Sequence, residues 1–90
     1  MFKTCSTERK CTLGPFLEGE DVVFGLIPLY QGTVTLKVRT ERDEATGLVC
    51  SMPGPCQALA SGSVERPPYW IDGTAPSGSV GSYVVWVTYG

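Results

Sequence analysis

The sequence predicts an all-β fold: a compact antiparallel β-sandwich of six or seven short strands, with a small β-barrel or a curled single sheet as the alternative. Three observations point there. Apolar residues recur with a period of two, most clearly through Thr33-Val34-Thr35-Leu36-Lys37-Val38-Arg39-Thr40. β-Branched and aromatic residues fill the segments between turns. Eleven glycines and seven prolines, a fifth of the 90 residues, interrupt every stretch that could form a long helix. A chain of this length makes one domain, 1–90, and buries only about 60 to 65% of its unfolded surface. An additional strap would help to hold so small a core, and four cysteines are available for it.

The elements follow in chain order. Residues 1–15 read as a weakly anchored amino-terminal arm carrying two of the cysteines. Asp21-Val22-Val23-Phe24-Gly25-Leu26-Ile27 is a strand, and Pro28-Leu29-Tyr30-Gln31-Gly32 turns the chain back, so this strand is expected to pair antiparallel with the next. That next strand, Thr33 to Thr40, places Val34, Leu36 and Val38 on a buried face and Thr33, Thr35, Lys37 and Arg39 on a solvated one. The polar run Glu41 to Gly47 reads as a loop. It leads to a short strand, Leu48 to Met52, stopped by Pro53-Gly54-Pro55 in a meander.

Cys56-Gln57-Ala58-Leu59-Ala60 suits a single helical turn or a strand, and the extended form fits better. Ser63-Val64-Glu65-Arg66 is a further candidate strand. Pro67-Pro68 then imposes an extended approach to Tyr69-Trp70-Ile71-Asp72, placing the two aromatic residues at a strand entrance or edge. After the turn-rich Ala75 to Ser79, the chain closes with Ser82-Tyr83-Val84-Val85-Trp86-Val87-Thr88-Tyr89. Tyr83, Val85, Val87 and Tyr89 share one face, yet Val84 and Trp86 make the other apolar too. Such a strand is either central in the fold or in contact with a partner.

Composition removes several function classes. No histidine is present, which excludes imidazole zinc ligands, Ser-His triads, Cys-His dyads and histidine pH switches. The net charge is −2, and Lys3, Arg9, Lys10, Lys37, Arg39, Arg42 and Arg66 are dispersed, so no stripe tracks a phosphate backbone and no nucleic-acid partner is expected. No apolar run is long enough to cross a bilayer, and residues 1–10 lack the apolar core of a secretory signal. The chain is expected to be made without export in this form, or to have had a signal removed. Neither GxGxxG nor a Walker-A run occurs, and Glu41-Arg42-Asp43-Glu44 is better read as a solvated loop than as a calcium site. The carboxylates fall mostly in turn-like segments, giving no glycosidase pair, and no enzymatic activity is expected.

The cysteines stand as Cys5-x5-Cys11 and Cys50-x5-Cys56. Four cysteines permit three pairings, and both local bridges and bridges crossing between the two loops are chemically reasonable. Crossed bridges would close larger loops and constrain the unfolded chain more. No cofactor is expected; four thiolates around zinc are the alternative strap, although five intervening residues exceed the usual two to four.

Tyr69, Trp70, Tyr83, Trp86 and Tyr89 are the candidate interface residues. Tyr69 and Trp70 are also candidates for a carbohydrate platform, but neighbours on a strand point to opposite faces, which favours one core residue and one surface residue. The central Gly32 to Arg39 segment and the terminal Gly78-Ser79-Val80-Gly81-Ser82-Tyr83-Val84-Val85-Trp86-Val87 resemble strands of small phage virion accessory proteins. That resemblance implies a tail, baseplate, head-completion or capsid-decoration component, made in a host cytoplasm and packed in repeated copies on a virion. The leading expectation is thus a noncatalytic structural or protein-interaction component whose partners are other proteins or copies of itself. The alternatives are a free-standing carbohydrate-binding module using Tyr69 and Trp70, a zinc-stabilised adaptor and a secreted, disulfide-stapled inhibitor, and an extracellular mature protein is the alternative to a virion location.

Overall fold

The computed structural model describes residues 2–17, 21–61 and 68–89. Eight strands follow one another: β1 (Phe2–Ser6), β2 (Cys11–Phe16), β3 (Asp21–Pro28), β4 (Thr33–Thr40), β5 (Glu44–Ser51), β6 (Cys56–Ser61), β7 (Tyr69–Thr74) and β8 (Ser82–Tyr89). They form two open antiparallel sheets, β1-β8-β3-β6 (sheet A) and β2-β7-β4-β5 (sheet B). The fold is therefore the expected sandwich and not a closed barrel. Its extents of 35 × 25 × 17 Å leave two broad faces, each the outside of one sheet.

Alternation builds the core. Sheet A turns Val22, Phe24, Leu26, Tyr83, Val85 and Val87 inward, and sheet B meets them with Leu13, Val34, Leu36, Val38, Tyr69 and Ile71. Phe16 packs on Tyr69 with ring centroids 5.3 Å apart. Tyr83 reaches right across the gap: a Cβ added at Gly73 on β7 would lie 2.7 Å from its hydroxyl, so glycine makes the space for this ring.

Four expectations change. The amino-terminal arm is ordered as two edge strands, raising the count from six or seven to eight. β1 pairs with β8, β2 pairs with β7, and the intervening turn is anchored by Thr7, which hydrogen-bonds through its N–H to Gly81 O and through its hydroxyl to Ser79 O. Short strands rich in Thr and Cys give little periodic signal, and Pro15 sits in β2 where the register shifts, which an edge strand tolerates.

β3 and β4 do not pair with each other. β3 lies between β6 and β8, and β4 between β5 and β7. Their apolar sets, Val22-Phe24-Leu26 and Val34-Leu36-Val38, oppose one another across the core, so the Leu29–Gly32 connection changes layer. The loop after β4 is shorter than expected. Thr40 pins it by donating its hydroxyl to Asp43 Oδ1 and accepting the Arg42 and Asp43 N–H groups. β5 then starts at Glu44, because an exposed edge strand accepts polar residues. Its register steps from Leu36↔Leu48 to Lys37↔Thr46, leaving Gly47 as the extra residue.

β6 is extended, as favoured, and Ser82–Tyr89 is a central strand of sheet A. β7 is internal to sheet B, so Tyr69 and Trp70 lie at a strand entrance but not at a sheet edge. The candidate strand Ser63 to Arg66 lies outside the described residues.

Candidate functional site

Both cysteine pairs are closed as local disulfides, Cys5–Cys11 and Cys50–Cys56, each with Cα atoms 6.0 Å apart. The crossed pairing is not the one adopted, and with all four sulfurs in disulfides the thiolate zinc site falls away. The topology gives the local bridges more than a local effect. Cys5 is on β1 and Cys11 on β2, while Cys50 is on β5 and Cys56 on β6, so each bridge joins an edge strand of one sheet to an edge strand of the other. The sandwich is clasped at both of its open sides. Cys5, Cys11 and Cys50 are buried, which shields the bridges from reductant.

The outer face of sheet B is polar. Asp72 points outward from β7, yet its side chain is only 1% exposed because its neighbours close over it. Thr12 Oγ1 donates to its Oδ1 at 2.7 Å, Arg39 Nε donates to its Oδ2 at 2.7 Å, and Lys10 Nζ stands 3.9 Å from Oδ2. Burial alone pushes the Asp72 carboxyl up. The hydrogen bonds from Arg39 and Thr12, with the charges of Arg39 and Lys10, outweigh that and hold it below its ordinary value. Its hydrogen bond to Asp72 raises Arg39 in turn, against the opposing effect of burial.

The same guanidinium lies over Trp70, its Cζ 4.7 Å from the ring centroid, and the Trp70 ring also crowds Gly14. Trp70 is thus half-buried with a ring face already taken by a cation that Asp72 holds in place. This arrangement locks three strands of sheet B together, and an ionised, fully engaged carboxylate is poorly suited to give up a proton as a general acid.

The outer face of sheet A is different. Gly25, in the middle of β3, is Cα partner to Trp86 on β8 and to Gln57 on β6, and Trp86 is partner to Phe2 on β1. One row of residues therefore crosses all four strands: Phe2, Trp86, Gly25, Gln57. A Cβ added at Gly25 would lie 2.0, 2.1 and 2.3 Å from Cζ2, Cη2 and Cε2 of Trp86. Three such similar distances place that point over the ring face, since an approach to the ring edge would leave the flanking atoms much farther away. The indole accordingly lies flat on the Gly25 backbone and turns its other face outward. Phe2 beside it is 76% exposed, and Gln57 is exposed at the far end of the row.

Half-buried Val23, Ile27 and Val84, with exposed Thr4 and Thr88, surround this row. None of these side chains is charged.

The predicted aromatic residues thus divide. Tyr69 and Tyr83 are fully buried and serve the core, not an interface. Trp70 and Trp86 are half-buried on opposite outer faces, and the side chain of Tyr89 lies outside the described residues. A Tyr69-Trp70 double platform does not form, because the two rings point to opposite sides of sheet B, as alternation requires. Sequence reasoning missed Phe2, Gly25 and Gln57. The available signal was Gly25 itself, a glycine inside an apolar strand, which marks the close approach of another group.

A groove of about 380 Å³ between the Cys5–Cys11 loop and the β7–β8 connection is lined by Arg9, Lys10, Pro76 and Ser79 among others. Among the described residues no cluster of acidic or cysteine side chains is arranged to hold a metal, and no helix is long and apolar enough to cross a membrane. No protein-family model matches the chain, and comparison with curated proteins and with solved structures returns no match.

Proposed function

We propose that the chain is a noncatalytic recognition module that binds carbohydrate on the outer face of sheet A. The observation that carries this reading is half-buried Trp86 lying flat on Gly25 on the outside of sheet A. A pyranose offers an apolar C–H face to the electron-rich face of an aromatic ring, and a flat, fixed indole provides that surface with little ordering cost. The carbohydrate-binding role assigned from sequence to Tyr69 and Trp70 moves to Trp86. The disulfides support use in an oxidising setting, consistent with an extracellular protein.

A virion component packing against another protein is the second reading, and the aliphatic side chains Val23, Ile27 and Val84 around Trp86 favour it. Patch size weighs against it. Strand spacing and same-face spacing give the row and the five residues around it, polar ones included, on the order of 300 Å², whereas a stable protein interface takes about 800 Å² from each partner.

Co-sedimentation with insoluble polysaccharides, comparing the native chain with Trp86→Ala and Trp70→Ala, tests the proposal. Retention that is lost only with Trp86→Ala is expected. Absence of retention on any polysaccharide, combined with a stable protein complex through the same face, would transfer the function to the second reading.

A further inference from the structure

We infer that the ligand of this face is a neutral, linear oligosaccharide that runs across the strands, from Phe2 to Gln57, over roughly three sugar units. The inference rests on the carbohydrate-binding reading above and deepens it in three respects.

The direction comes from the register. Phe2, Trp86, Gly25 and Gln57 are successive Cα partners across β1, β8, β3 and β6, so the aromatic and amide groups form a line perpendicular to the strands. Along the strands, by contrast, the neighbours of Trp86 on its own face are Val84 and Thr88, which offer no second ring. The length follows from the same row. Three strand spacings cover about 14 Å, the length of roughly three pyranose rings placed end to end. One ring would rest against exposed Phe2 and the next on Trp86. The third would reach Gln57, whose amide both donates and accepts hydrogen bonds and so suits a pair of neighbouring hydroxyls.

The neutrality follows from charge. No lysine or arginine lies on this face among the described residues, so a carboxylated or sulfated chain would lose hydration there without a compensating cation. Arg39 on the opposite sheet and Lys10 in the turn between β1 and β2, the cations that could serve an acidic ligand, are engaged with Asp72.

Calorimetric titration with neutral oligosaccharides of one to six units (cellulose-, xylan- and mannan-derived series) and with oligogalacturonate of matched lengths tests the inference. Affinity is expected to rise up to about three units and then level off, with oligogalacturonate at least about tenfold weaker. Phe2→Ala and Gln57→Ala remove exposed side chains and leave the core intact. Each is expected to weaken binding of the trisaccharide about fivefold, and neither should change binding of a single sugar held on Trp86. Trp86-dependent binding that prefers the acidic series, is complete with one unit or ignores Phe2 and Gln57 overturns the inference while leaving carbohydrate recognition standing. No binding of any member removes both.

Discussion

Removing the clasps one at a time measures what they contribute. Each bridge joins cysteines six positions apart. By chain entropy, a loop of about seven residues contributes about 2.4 kcal/mol to stability. Cys5→Ala/Cys11→Ala and Cys50→Ala/Cys56→Ala should each lower stability by about that amount, and the fourfold variant by about 5 kcal/mol, which is close to the whole stability of a typical small domain. In urea, with a slope of about 1 kcal/mol per molar, the single removals move the midpoint down by about 2 M. The assay is equilibrium unfolding followed by circular dichroism, with peptide mapping of the intact protein under non-reducing conditions. Crossed bridges would close loops of about 45 residues and contribute about 4 kcal/mol each. Peptides linking the first pair to the second, or four cysteines that alkylate freely in the native protein, would refute the clasp.

Other consequences can be checked alongside it. Gly25→Ala should lift the Trp86 indole from sheet A, costing about 1 to 3 kcal/mol and reducing carbohydrate retention; thermal melts and co-sedimentation read the two effects separately. Tyr83→Phe should stabilise the fold by about 1 kcal/mol in urea titration, because the Tyr83 hydroxyl is buried with no hydrogen-bond partner among the described residues; a loss of stability would show that the hydroxyl is bonded. Asp72 has a folded-state pKa below its unfolded value near 3.9, so the stability it contributes is complete above about pH 4 and is lost as pH falls through the folded value. Asp72→Asn should therefore flatten the acid side of a stability profile recorded from about pH 2 to 7, and an unchanged acid slope would rule out this linkage.

Much of the fold was legible because β4 displays its burial in its alternation, because β8 is apolar on both faces as an internal strand can be, and because proline and glycine mark the turns between strands. What was not legible depends on partners distant in sequence. Nothing local in Asp21–Pro28 or Thr33–Thr40 says whether the two strands pair within one sheet or face each other across the core. The arm residues became strands through β7 and β8, whose pairing with them spans nearly the whole chain. The cysteines were recognised as the strap, but their pairing required the two sheets to be in place. At the site, Trp86 was visible as an apolar residue on an otherwise outward face, while Phe2 and Gln57 joined it only through register.

Backbone amide shifts in a ¹⁵N-labelled sample, mapped on addition of a neutral oligosaccharide that the chain retains, distinguish the two outer faces. Shifts are expected to concentrate at Phe2 to Thr4, Val23 to Ile27, Gln57 and Val84 to Thr88, together with the Trp86 indole N–H. Shifts clustered instead at Thr12, Lys37 to Arg39 and Trp70 to Asp72 would place recognition on sheet B and contradict the proposal.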